Sequence, residues 1–183
     1  MNTPARVSLT TGFGAIIDQI RKLYPFLAKD LGLILGALLV GAGFASLFTW
    51  EPDPETAIIA PYGIFLHNFA LALLALLLTQ YGARIMMIAN GLWLGMGLVG
   101  SATTAGLEQT LALTVVHVPL EILAWATTIQ GARVLWPELV AAVRKTSEPA
   151  RFLHGMCRVM TAPTVFYLLA ALTEWAEHVL VRR

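Results

Sequence analysis

From Leu31 to Trp50 the chain reads "LGLILGALLVGAGFASLFTW" with no charged position. About 20 consecutive apolar residues suffice for a helix to cross the hydrocarbon core of a bilayer, so this stretch predicts a first span. The next residues, Glu51 to Glu55, carry two prolines and three carboxylates and predict a loop. Apolar positions resume at about Pro61 and continue to Tyr81, a second span. The connection Gly82-Ala83-Arg84 is short enough to make spans two and three an antiparallel hairpin, with span three covering about Arg84 to Ser101.

After the polar link "SATTAGLEQT", a fourth span runs from about Leu111 to Ala132 and contains Pro119, where a kink is expected, and Glu121. Residues 133–158 hold five Lys or Arg residues and are divided by Pro137 and Pro149, which predicts an extramembrane, partly amphipathic segment. A fifth span, about Val159 to Val181, is the least apolar, with Glu174, Glu177 and His178 near its end. Ahead of span one, residues 1–30 form an arm. In it Ile16, Ile17, Ile20, Leu23 and Tyr24 recur at helical spacing opposite Asp18, Arg21 and Lys22, the pattern of an amphipathic helix at the membrane surface. That arm lacks the apolar core of a cleavable signal peptide.

Composition agrees with this pattern. Of 183 residues, 57% are hydrophobic and only 13% charged, against about 25% charged in an ordinary globular chain. A large soluble catalytic domain is excluded. The net charge of +1 is divided among short segments, so no basic patch for nucleic acid is expected. A single cysteine, Cys157, excludes an intrachain disulfide and a cysteine-based zinc cluster.

The signs of the remaining charges predict orientation. Lys and Arg number four before span one, none in 51–60, one at Arg84, none in 102–110 and five in 133–158. By the positive-inside rule, the N-terminus, the Arg84 turn and 133–158 face the cytoplasm, and the acidic loop and the C-terminus face outward. Arg182 and Arg183 run against this bias and are expected to snorkel. The reading is a multi-pass membrane protein with its N-terminus in the cytoplasm.

Ionisable and amide groups inside spans are costly and therefore informative. They are His67 and Asn68 in span two, Asn90 in span three, His117 and Glu121 in span four, and Glu174 and His178 in span five. His117 and Glu121 stand four apart, on one helical face. Counting 1.5 Å per residue puts most of these groups in the outer half of the membrane, with Glu121 near the midplane. Three readings are open for this cluster. His67, His117, Glu121, Glu174 and His178 are a ligand set suited to zinc or iron, and a metal-bound water there would make the chain an intramembrane hydrolase. The groups could instead line a transporter-like path, or hydrogen-bond to one another as glue between helices. No HExxH pattern is present. Gly32 and Gly36 in span one, and Gly91 and Gly95 in span three, have the small-xxx-small spacing of close helix packing.

The order His67-Asn68, Asn90-Gly91 with Gly95, His117-x-x-x-Glu121, then "LLAALTEW" with Glu174 resembles the stage II sporulation protein M family of integral membrane proteins. The likeness covers about residues 31–181. Asn68, Asn90, Gly91, His117, Glu121 and Glu174 match that family's polar positions. His67 replaces an asparagine, and Pro119 follows the histidine where the family has a proline before it. The resemblance implies an all-α polytopic membrane bundle of about five spans acting as a scaffold or component of a membrane complex. Its partners would be the lipid bilayer and either other membrane proteins or further copies of itself.

Overall fold

The computed structural model describes residues 24–51 and 61–181. The amphipathic helix expected in the N-terminal arm, most of the acidic loop, and Arg182 and Arg183 lie outside the described residues. Six helices make up the rest: α1 (Leu27–Ala45), α2 (Pro61–Leu77), α3 (Gln80–Thr104), α4 (Leu107–Thr114), α5 (His117–Val143) and α6 (Pro149–Val181). Among the described residues there is no strand, and the protein is an all-α bundle.

Not all of the five expected spans are long and apolar enough among the described residues to cross a membrane on their own. α1, α3 and α6 are each long and apolar enough to cross a membrane, and α4 with α5 qualifies only as one bent span, giving three or up to four. α2 has 17 residues, about 26 Å at 1.5 Å per residue, short of a hydrocarbon core about 30 Å thick.

Three boundaries also move. The α2–α3 break falls at Leu78 and Thr79 rather than at residues 82–84. Thr79 takes the N-cap position, its hydroxyl accepting from the Gly82 N–H at 3.2 Å, so Arg84 lies inside α3. α2 and α3 touch only sparsely; α2 packs chiefly on α5 and α6, and α1 chiefly on α3.

The bend of the fourth segment comes before Pro119, as a 51° angle between α4 and α5. Pro119 is the third residue of α5, where its missing N–H costs nothing, while its ring would crowd the Val115 carbonyl if α4 continued straight.

The third correction concerns residues 133–158, which are not divided into short pieces at Pro137. α5 passes through Pro137 to Val143, and α6 begins at Pro149. Between them lies a Schellman turn: Thr146 N–H donates to Ala141 O at 2.9 Å and Lys145 N–H to Ala142 O at 3.0 Å, with Lys145 in the left-handed region at φ 57°. Packing holds α5 helical across the proline, because Gly131, Ala132 and Leu135 are buried within the bundle.

α5 is the central helix. Every residue from Ala124 to Ala132 is buried, which on a helix means all faces are covered. Its small side chains permit this: a Cβ at Gly131 would come within 3.1 Å of Leu76 in α2 and 3.3 Å of Val159 in α6. Thr127 and Thr128 satisfy their hydroxyls on α5's own carbonyls, at 2.8–2.9 Å.

α1 and α3 cross at glycines. A Cβ on Gly41 would fall on the Leu92 backbone carbonyl, one on Gly95 on the Leu38 carbonyl, and one on Gly91 would stand 3.0 Å from the Ile34 oxygen. Gly91 and Gly95 thus sit at a helix crossing. Gly32 and Gly36 do not, for nothing among the described residues lies within 4 Å of where their Cβ atoms would be. The buried stripe of α1 is Asp30, Ile34, Ala37, Gly41 and Ala45, and Gly32 and Gly36 fall on another face. At the far end of this pair Trp50 covers Gly100 and donates to Ala45 O at 3.0 Å. Gly106, at φ +94°, makes the turn from α3 into α4.

Candidate functional site

Polar side chains gather in two clusters at opposite levels of the bundle. The first joins α2, α5 and α6. Asn68 Nδ2 donates to Glu121 Oε1 at 2.8 Å, and Glu174 is close enough for its charge to act on Glu121. One turn away, His117 Nδ1 meets Glu177 Oε2 at 2.5 Å, with the two side chains 9% and 11% exposed. The other oxygen of Glu177 accepts from the Val116 N–H at 3.2 Å, so this carboxylate also caps the N-terminus of α5, where the helix dipole favours negative charge. The bend before Pro119 exposes that N–H to α6. Tyr167 of α6 is wholly buried nearby, its hydroxyl left without a hydrogen-bond partner among the described residues.

The residues expected from sequence are partly united here. Asn68, Glu121 and Glu174 share one neighbourhood, and His117 stands one turn from Glu121 but bonds to Glu177. His178 turns to its own helix, Nδ1 lying 2.8 Å from the Glu174 carbonyl. His67 is exposed on the flank of α2, about 100° around the helix from Asn68. Asn90, on α3, makes no side-chain hydrogen bond with them. Among the described residues no three His, Cys, Asp or Glu side chains are placed to hold a metal ion. The proposed set His67, His117, Glu121, Glu174 and His178 therefore does not converge. Helical azimuth separates His67 from the rest, Glu121 is taken up by Asn68, and His117 is taken up by Glu177.

The second cluster was not expected from sequence. Asp30, in the first turn of α1, has no solvent exposure. Its Oδ1 accepts from Arg84 Nη2 at 2.8 Å and Nε at 3.2 Å, and its Oδ2 accepts from Gln130 Nε2 and, at 3.4 Å, from Arg133 Nη2. Arg133 in turn donates to Gln130 Oε1 and Gln80 Oε1, both at 3.0 Å, and its guanidinium lies 4.2 Å from the centroid of the Phe26 ring. One carboxylate thus ties α1, α3 and α5 together at one end, held by two guanidiniums. A carboxylate buried this deeply is stable only with such partners. A signal was available in the sequence: an acid at the edge of span one, level with Arg84 and Arg133 at the matching edges of spans three and four.

The network also fixes the distribution of charge. All described Lys and Arg residues (Lys29, Arg84, Arg133, Arg144, Lys145, Arg151 and Arg158) belong to the end of the bundle that holds Asp30 and the α5–α6 turn. The opposite end holds Glu51, Glu108, Glu174 and Glu177. Fold and clusters together define a helical bundle with the composition of a membrane protein and a polar tie at each end. No family model, curated protein or solved structure matches the chain.

Proposed function

We propose that this chain is a multi-pass membrane protein that acts by assembly, as a scaffold or component of a membrane complex, with its intramembrane polar groups serving to fix the bundle. The observation that carries this reading is the mutual pairing of those groups: Asn68 with Glu121, His117 with Glu177, and Asp30 with Arg84, Arg133 and Gln130. Groups spent on one another fix packing rather than bind a ligand. Large apolar side chains such as Leu39, Leu74 and Leu172 remain exposed on the outer faces of α1, α2 and α6. That surface suits lipid and neighbouring membrane helices.

The stage II sporulation protein M family remains the family we propose, on the order of Asn68, Asn90, Gly91, His117, Glu121 and Glu174. The location we propose is the bacterial inner membrane. The gathering of Lys and Arg at the Asp30 end supports placing that end in the cytoplasm with the N-terminus, and the C-terminus outside.

The test is photo-crosslinking in native membranes from a benzophenone amino acid placed at Leu39, Leu74 or Leu172. Discrete protein adducts from at least one face are expected. Adducts to lipid alone from all three faces would overturn the assembly reading. So would one equivalent of zinc or iron retained by the purified protein and lost in His117→Ala, which would return the metal-dependent hydrolase to the front.

A further inference from the structure

At the basic end of the bundle, α5 and α6 diverge around a cavity of about 390 Å³, within the size range of small-molecule sites. One wall is Arg151, His154 and Arg158, three and four residues apart and so on a single face of α6. The facing wall is Gln130, Val134 and Glu138, at four-residue steps along α5. Among the described residues no carboxylate lies within ion-pairing distance of Arg151 or Arg158; the pairs that form are those of Asp30 and of Glu177. The neighbouring Asp30 network, reached through Gln130, sets one carboxylate against two guanidiniums and adds a further uncompensated positive charge. Glu138 has one oxygen that is buried and accepts no hydrogen bond among the described residues, beside Gly155, where a Cβ would strike it. The cavity therefore offers cationic donors for an anion and, a few ångströms away, one acceptor lacking a donor.

The position in the bundle narrows the ligand. α6 has 33 residues, about 50 Å of helix against a hydrocarbon core of about 30 Å, so about 20 Å emerges. With the excess at the basic end, about the first 13 residues of α6 lie outside the hydrocarbon core, Arg151 to Arg158 among them, with Arg158 nearest the headgroups. Gly131, Val134 and Val159 supply an apolar floor.

We propose that this cavity binds the headgroup of a membrane phospholipid whose phosphodiester carries its own hydrogen-bond donor. The phosphate is held by Arg151, Arg158 and His154, and the headgroup hydroxyl or ammonium donates to Glu138. Arginine forks suit phosphate oxygens.

The experiment uses the full chain in detergent, with the shift in Tm as readout and dioctanoyl phosphatidylglycerol, dioctanoyl phosphatidylcholine and inorganic phosphate as probes. Phosphatidylglycerol is expected to raise Tm saturably, and phosphatidylcholine, whose headgroup has no donor, to do so far more weakly. Arg151→Gln with Arg158→Gln should weaken the apparent Kd at least about tenfold, the loss of charge-assisted hydrogen bonds. Val134→Trp, which fills the cavity from an exposed position and keeps every charge, should do the same and decides the matter where the double variant fails to fold. Equal response to the two lipids, inorganic phosphate competing at the lipid's own concentration, or a Val134→Trp protein with unchanged affinity would each overturn the proposal.

Discussion

Asp30 has no exposed surface, and two arginines that keep about a fifth of theirs close around it. Removing the carboxylate leaves both guanidiniums facing a low-dielectric interior and the Gln130 Nε2 without its acceptor. Asp30→Ala is therefore expected to cost about 3 kcal/mol of stability, at the low end for a broken buried pair because the arginines reach solvent; denaturant unfolding in detergent micelles measures it. The first cluster predicts a pattern of coupling. In double-mutant cycles, His117 with Glu177 and Asn68 with Glu121 should each show about 1–3 kcal/mol of interaction. His117 with Glu121 should show less, although the pair stands at i and i+4 on one helix, because each is bonded to another partner. Equal coupling of all three pairs would contradict the hydrogen bonds described. Lys145 provides a third test at this scale. It holds the left-handed C′ position of a Schellman turn at φ 57°, where a Cβ is strained. Lys145→Gly should raise stability by about 0.5–1 kcal/mol, and a loss would place the turn elsewhere.

Between helices, the backbone of α1 and α3 can approach only because Gly41, Gly91 and Gly95 have no side chain at the crossing. Gly95→Leu is expected to cost about 3 kcal/mol or more and to separate the pair, since its first carbon would land on the Leu38 carbonyl. Gly36→Leu, by contrast, meets open space within the described residues and should leave monomer stability within about 0.5 kcal/mol. The two variants together, compared by unfolding, distinguish the packed face of α1 from the free one. They also show which parts of the fold were legible in the sequence. Small-xxx-small spacing marks glycines that can pack, and Gly91 and Gly95 do. Spacing alone gives no azimuth, and Gly32 and Gly36 have the same signature on the wrong face. Similarly, counting residues along each span placed Asn68 and Glu121 at compatible depths, and they meet; it also placed His67 there, and His67 points outward. The continuation of α5 through Pro137 was not legible, because the helix is maintained by burial of Gly131, Ala132 and Leu135 against other elements, a tertiary effect that outweighs a local breaker. Asp30 was hidden by its position at the edge of an apolar run, where an acid reads as part of a flank until the helix that carries it is seen to start at Leu27.

At the scale of the molecule, charge asymmetry becomes geometry. The described Lys and Arg residues share one end, and the turn at Gly106 sends the chain back across the bundle through α4 and α5, so that Glu108 and the α5–α6 turn lie at opposite ends. With α5 about 40 Å and α6 about 50 Å long at 1.5 Å per residue, both helices are long enough to carry the turn at residues 144–148 beyond a bilayer about 30 Å thick on the basic side. If that side is cytoplasmic, a cysteine at Ser147 in a Cys157→Ser background should react with a membrane-impermeant maleimide only after spheroplasts are permeabilised. A cysteine at Glu108 should react in intact spheroplasts. Both positions labelling from the same side would contradict the bundle's two-ended arrangement. Reversed labelling would keep the arrangement and invert its orientation, making the Asp30 network and the basic cavity between α5 and α6 features of the outer surface.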